Sequence, residues 1–331
     1  MTASTRRLLI ALAAATLPIT ASASYVHREE VREFIREMSS AHGFDDAQLY
    51  ALLDRAEHHP RVIELIRPPA TPGVRSWQRY RARFLDRTRI DGGVAFWQEH
   101  AGTIRRASEQ YGVPEEVIVA IIGVETLYGR HTGNFETLSA LATLAFDYPP
   151  RAPLFRRELE QLLLLAREQR RDPMSYFGSY AGAVGYPQFL PSSVRNYAVD
   201  FDGDGRIDFD ADPVDAIGSV ANYLHAHGWQ AGRPVAERAR IAPTAAVQPL
   251  VDAGIDPILS PETLTAAGIA RSEGGAPAET ATLVDLASPG AETEYWLGYR
   301  NFYVITRYNR SSFYAMAVFQ LAEALRQANG R

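Results

Sequence analysis

The sequence predicts a mainly α fold of α+β type, helical through most of its length with a small β-rich insert. Three observations carry this. Apolar residues recur at three- and four-residue spacing along much of the chain, and residues 117–122 are apolar around a whole helical circumference. Residues 234–293 abandon that pattern for Ala, Pro, Gly and Thr with short apolar pieces.

Taken in order, Arg6-Arg7, the apolar run over 8–19 and Ala21-Ser22-Ala23 read as an export signal over 1–24. That run is shorter than the roughly 20 residues that span a bilayer. The chain has no Cys to carry a lipid, so no membrane anchor is expected and the mature protein is read as exported, soluble and monomeric. A helical domain is expected over 25–100. Val31, Phe34, Ile35 and Met38 form one helical stripe, His42-Gly43 closes it, and Asp45 can cap a second helix bearing Leu49, Leu52 and Leu53. Residues 67–75 read as a connector. Trp77, Tyr80 and Phe84 open the next helix, and Gly92-Gly93 precede another that runs to about Tyr111.

A core is expected over 101–233. Its central helix starts at Pro114, with Glu115 and Glu116 favouring the positive helix end, and is closed by Gly129. Further helices are read over 137–146, 155–168 and 215–227. The β-rich subdomain takes 234–293. Residues 294–331 return to the core, with a strand-like stretch over 301–308 and a last helix over 311–327.

Composition narrows the chemistry. Every one of the 34 basic residues is Arg, so no lysine Schiff base or P-loop lysine is available, and thiolate and Cys-zinc chemistry are absent too. The formal charge of −5, without a basic stripe interleaved with aromatics, argues against nucleic acid. Carboxylate, hydroxyl, imidazole and amide chemistry remain.

Glu125 is the informative carboxylate. Its helical neighbours Ile118, Ile121, Ile122 and Tyr128 make ionisation costly, and the negative helix end adds to that, so its pKa should rise. A carboxyl protonated near neutrality is what a glycosidic leaving group needs. The 179–189 segment mixes small residues and aromatics, including Phe189, with the polar groups of Ser179 and Gln188. Tyr303, Arg307, Tyr308, Asn309 and Tyr314 combine rings and polar groups that suit pyranose faces and rims.

Asp200, Asp202 and Asp204 occupy positions 1, 3 and 5 of an EF-hand-like loop, part of a stretch over 200–215. Gly205 makes its turn and Arg206 offers a backbone carbonyl at position 7. Position 12 is Ala211, so the last carboxylate must come from Asp215 or, alternatively, Asp212. The ion, Ca2+, is read as structural. No organic cofactor is indicated.

Glu125-Thr126-Leu127-Tyr128-Gly129-Arg130, the 179–189 segment with Leu190-Pro191-Ser192-Ser193, the acidic loop, and Tyr303-Val304-Ile305-Thr306-Arg307-Tyr308-Asn309 follow one another in this order. Together they resemble the lytic murein transglycosylase B family over about 28–324. The resemblance implies a lysozyme-like helical core with an added N-terminal helical domain and a small β-rich insert. It also implies cleavage of the β-1,4 bond between N-acetylmuramic acid and N-acetylglucosamine in peptidoglycan, leaving 1,6-anhydromuramic acid ends. Glu125 would be the sole acid and base, with Ser179 and Gln188 beside it. Tyr80, Arg151, Tyr223, Tyr308, Asn309 and Tyr314 would line the saccharide cleft, and Asp215 would complete the calcium loop. Pro150-Arg151 stands where the family often has two arginines, so only Arg151 carries over.

One acid suffices chemically when the substrate's own N-acetyl group assists. Glu136 and Asp147 have simpler structural readings. Peptidoglycan strands are the expected partner, with other cell-wall enzymes as further ones. A hydrolytic muramidase and a non-catalytic peptidoglycan-binding scaffold are the competing readings.

Overall fold

The computed structural model describes residues 25–69 and 73–330, so the expected export signal lies outside the described residues. The chain divides into two compact units, the first ending at His58 and the second beginning at His59.

In the first unit α1 (Glu29–His42) buries Val31, Phe34, Ile35 and Met38, the stripe expected from their spacing. It stops at Gly43, which takes a left-handed φ of 67° and returns its N–H to the Ser39 carbonyl. The Asp45 side chain then accepts the Gln48 N–H and starts α2 (Asp46–Asp54).

The second unit opens with α3 (Pro60–Ile66), α4 (Trp77–Arg81), α5 (Arg87–Glu99) and α6 (Ala101–Tyr111). The central helix α7 (Glu115–Thr126) follows, then a two-residue strand β1 (Phe135–Glu136) and the pair α8 (Thr137–Asp147) and α9 (Ala152–Glu168). Strand β2 (Phe177–Gly178) pairs antiparallel with β1. Next come α10 (Pro191–Tyr197) and α11 (Val214–Ala226).

Every residue of α7 from Val117 to Val124 is buried, enclosed by α5, α6, α11 and the last helix α15 (Ser312–Ala328). Each large aliphatic side chain so buried contributes about 1.5–3 kcal/mol, which makes α7 the anchor of the unit. The β-rich part holds β3 (Ala236–Ile241), short helices α12 (Gln248–Asp252) and α13 (Pro261–Ala266), β4 (Ile269–Arg271), β5 (Thr282–Leu286) and β6 (Glu294–Gly298). The sheet order is β4-β3-β6-β5, antiparallel throughout, so the strand just beyond 293 is an inner one.

Three expectations change. Gly92 and Gly93 lie inside α5 instead of before it. A Cβ at Gly93 would overlap the Tyr128 phenol and a Leu325 methyl, so the glycine lets α5 approach α7 and α15. The strand-like stretch is a helix, α14 (Arg300–Tyr308): its buried residues Asn301, Phe302, Val304, Ile305 and Thr306 follow helical spacing. Finally, α7 stops at Thr126, before Gly129, because Leu127 and Tyr128 already take left-handed φ values of 52° and 59°.

Candidate active site

Glu125 sits one residue before the end of α7, and that end is clamped. Leu127 and Tyr128 return their N–H groups to the Gly123 and Ile122 carbonyls. The Tyr128 hydroxyl donates to the Arg89 carbonyl at 2.8 Å, and Arg89 Nε donates to the Gly123 carbonyl at 2.9 Å. The Thr126 hydroxyl accepts the Gly129 N–H at 3.0 Å. Non-glycine residues in the left-handed region are held at a cost of about 1 kcal/mol or more each, so the surrounding bonds must fix this turn.

The Glu125 carboxyl projects into a group of phenols. Tyr314, at the start of α15, donates its hydroxyl to Glu125 Oε1 at 2.5 Å. Burial pushes the Glu125 carboxyl up to about 7, and the Tyr314 hydrogen bond works against that rise. The phenols of Tyr80, Tyr308 and Tyr314 are each raised, first by burial and next by the charge of Glu125, so all three lie in its field.

Tyr314 tempers the rise: without it the carboxylate loses a donor and the Glu125 pKa climbs further. Tyr314→Phe is therefore expected to move the alkaline limb of the activity–pH profile upward. A limb that stayed in place or moved down would refute this role.

The other expected contacts fall around this group. Tyr308 donates its hydroxyl to the Pro187 carbonyl at 2.8 Å and stacks parallel to Tyr314, with centroids 6.4 Å apart. Tyr223, on α11, donates to the Arg307 carbonyl at 2.7 Å and packs on Tyr308. Phe189 is only 2% exposed and touches Phe209, Tyr223 and Tyr308, so it braces the tyrosines from below instead of offering a face. Asn309 is exposed at the end of α14, next to Tyr308.

Gln188, at a left-handed φ of 50°, donates both amide hydrogens to loop carbonyls, those of Thr132 and Gly185, each at 2.9 Å. Its Oε1 remains as an acceptor. Ser179 closes a tight loop, its Oγ accepting the Ala183 N–H at 3.1 Å. Gly185 takes a φ of 62°, and a Cβ there would overlap Phe209. Arg151 is exposed, its guanidinium over the Phe155 ring, and no contact ties it to the Glu125 group among the described residues. Glu136 caps α8 by accepting the Leu138 and Ser139 N–H groups, the structural role its place before a helix suggests.

Sequence reasoning grouped Trp77, Tyr80 and Phe84 but missed Phe313, which packs with the other two on the Tyr80 ring. It also missed Arg89. The one available signal was the position of Phe313 beside Tyr314.

In the acidic loop Asp200, Asp202 and Asp204 are exposed, with carboxylate oxygens within 4.8 Å of one another. Asp200 accepts the N–H groups of Gly203, Asp204 and Gly205, and Asp204 accepts that of Arg206. Three close carboxylates of one sign fit a hard divalent cation. Asp215 is not one of this triad. It is buried and accepts the Phe201 N–H at 2.7 Å and the Asp208 N–H at 2.8 Å, tying the loop to α11. Its carboxyl is raised by burial and then by Asp202 and Asp200, despite these two bonds. Asp212 instead accepts the Val214 N–H at the start of α11.

Residues 27–323 match the family model of the transglycosylase SLT domain. The membrane-bound lytic murein transglycosylase B of Escherichia coli K12 is 44% identical over 310 residues, 91% of this chain and 84% of that protein. The crystal structure of the soluble lytic transglycosylase SltB1 of Pseudomonas aeruginosa is similar at 48% identity and a TM-score of 0.84, covering 91% of this chain and all of that one. The Escherichia coli lytic transglycosylase Slt35 in complex with calcium is similar at 44% identity and a TM-score of 0.80, covering 91% of this chain and 94% of that one.

Proposed function

The chain belongs to the family of transglycosylases with an SLT domain and is a peptidoglycan lytic transglycosylase of lysozyme-like helical fold; from that premise we propose that Glu125 is its single acid and base. The observation that carries this is the carboxyl poised near pH 7 by burial and held by Tyr314. Protonated, Glu125 delivers its proton to the glycosidic oxygen between N-acetylmuramic acid and N-acetylglucosamine as the C1–O bond breaks. The substrate's acetamido oxygen stabilises C1. The carboxylate then takes the proton of the muramoyl C6 hydroxyl as that oxygen bonds to C1, and Glu125 is restored. The internal nucleophile needs no capture from solution, which lowers the entropic barrier.

In this reading Tyr80, Tyr308 and Tyr314 face the sugar next to the acid. Tyr223 and Phe189 hold them, Ser179 and the Gln188 carbonyl oxygen contact polar rims, and Asn309 and Arg151 reach outward along the strand. Mass spectrometry of purified sacculi after digestion tests it. Anhydromuropeptides are the expected products; reducing-end products would mean that water is the nucleophile.

The loop holding Asp200, Asp202 and Asp204, with Arg206 offering its carbonyl and Asp215 supporting from α11, takes a structural Ca2+ in this reading. Slt35 is known with calcium bound. Saturating Ca2+ is expected to raise the melting temperature over that in chelator by about 5–10 °C. Asp202→Asn combined with Asp204→Asn should erase the difference; a melting temperature indifferent to Ca2+ in the parent protein would exclude the site. Export to the periplasm, where the substrate lies, completes the proposal. No helix among the described residues is long and apolar enough to cross a membrane.

A further inference from the structure

Helix α14 buries Asn301, Phe302, Val304, Ile305 and Thr306, which leaves Arg300, Tyr303 and Arg307, three and four residues apart, as its outer stripe. Arg310 follows, exposed, two residues past the helix end. Two guanidinia lie over the Tyr303 ring, that of Arg307 at 4.0 Å from the centroid and that of Arg300 at 5.1 Å. Arg300 is occupied, since it donates to the His227 carbonyl at 3.1 Å. Arg307 is held but not satisfied. Its Nη2 donates to the Thr306 hydroxyl at 2.9 Å and its Nε is buried without a partner, while Nη1 is neither bonded nor buried.

The charge around this stripe is unbalanced. Elsewhere the partly buried guanidinia of Arg89, Arg171 and Arg195 face Asp86, Asp210 and Glu168 at 3.0, 2.9 and 2.7 Å. Arg307 and Arg310 face no carboxylate among the described residues, in a chain whose formal charge is −5. Both cations act on one point. Burial and then Tyr197 raise the Tyr223 phenol, and Arg307 and Arg310 together work against that rise. Tyr223 donates to the Arg307 carbonyl and packs on Tyr308, so the surplus charge lies against the tyrosines proposed to hold the sugar.

We propose that Arg307 and Arg310 form a carboxylate site that takes the peptide stem of the muramoyl residue, next to the sugar at Tyr308. The inference rests on the glycan-strand reading given above. The sugar rings of the strand are uncharged and its carboxylates are on the stems, so a stem is the part of the substrate that matches these cations. The planar fork of Arg307 is already fixed by the Tyr303 ring and the Thr306 hydroxyl, so little side-chain freedom is lost on binding. Nη1 is the edge that reaches the ligand, and Arg310 adds a second cation from the exposed chain. The stripe lies on the outer side of α14, while Tyr308 lies in the field of Glu125. That division suits a branch that leaves the strand while its sugar stays beside the acid.

The test is isothermal titration of Glu125→Gln protein with the N-acetylglucosaminyl-N-acetylmuramoyl tetrapeptide and, separately, with chitotetraose, which carries no carboxylate. Adding Arg307→Gln is expected to weaken the tetrapeptide ligand about five- to tenfold, and adding Arg310→Gln about two- to threefold, with chitotetraose unchanged in both. Arg310 is exposed and makes no hydrogen bond, so its replacement leaves the packing intact. Amidating the stem carboxylates should weaken binding by a similar factor and make the three proteins alike. Equal losses for both ligands would mean damaged packing at Tyr303, and an unchanged affinity for the tetrapeptide would mean no contact; either overturns the site. The same dependence on Arg307 with the peptide-free disaccharide would assign the site to the lactyl carboxylate and overturn the stem. Binding of neither ligand would bring down the glycan-strand reading itself.

Discussion

Glu125→Gln is expected to abolish anhydromuropeptide release, a loss of about 10³-fold or more, while the protein stays folded. The amide keeps the shape of the side chain, and its oxygen still accepts from Tyr314. It carries no proton for the leaving oxygen and cannot take one from the C6 hydroxyl, so both halves of the reaction fail together. In the proposed mechanism the acid form is the one that starts the reaction. With its pKa pushed up to about 7, activity should be sustained below neutrality and fall as pH rises beyond it.

The same shift costs stability. Unfolded, the carboxyl returns to its ordinary value of about 4.5; folded, it holds its proton until about 7. The native state therefore binds more protons between those limits, and stability falls as pH rises through that window. The full penalty, on the order of 3 kcal/mol, is present above neutrality. Glu125→Gln removes it. Thermal unfolding should thus find the variant more stable than wild type near pH 8 and equal to it near about pH 4. A variant both inactive and less stable at about pH 8 would point to a structural lesion instead of a lost acid.

Gly93→Val should be the most damaging single change away from the cleft. The new Cβ would occupy the space of the Tyr128 phenol and the Leu325 methyl. Tyr128 cannot retreat without giving up its bond to the Arg89 carbonyl. The expected destabilisation is about 3 kcal/mol, or a melting temperature lower by roughly 6–12 °C. Activity should fall as well, since Tyr128 is part of the turn that follows Glu125. Gly92→Ala is the control: its Cβ would only touch the Tyr128 ring at 3.4 Å. Both replacements are better helix formers than glycine, so propensity cannot supply a loss; equal losses would mean that the overlap at Gly93 is not what sets the cost.

Much of this was legible because local chemistry and tertiary role coincide. The apolar circumference of α7 could belong only to a buried helix, and a carboxyl at its end had to feel that burial. Asp45 and Ser311 announce helix starts by side chains that accept the third amide beyond them. The acidic loop is legible because its carboxylates and glycine follow a fixed spacing. Other features depend on partners far along the chain. Tyr303-Val304-Ile305-Thr306 has the β-branched character of a strand. Yet Asn301 fixes α14 by bonding across to the Gln230 and Arg233 carbonyls, and tertiary packing overrides propensity. Gly92-Gly93 resemble a break because only Tyr128 and Leu325 reveal the need for a small residue inside a helix. Nothing near Tyr80 in sequence points to Glu125; the fold brings them into one electrostatic field.

The enclosure of α7 by α5, α6, α11 and α15 also separates two timescales of motion. A helix buried on every side exchanges its amide hydrogens only when the whole unit opens, so the acid rides on the slowest-fluctuating segment of the fold. Asn309 and Arg151 lie on exposed termini of short elements that can rearrange without that opening. Under the roles proposed for these residues, a heterogeneous polymer is gripped by adaptable outer contacts while the proton donor stays fixed for each cut.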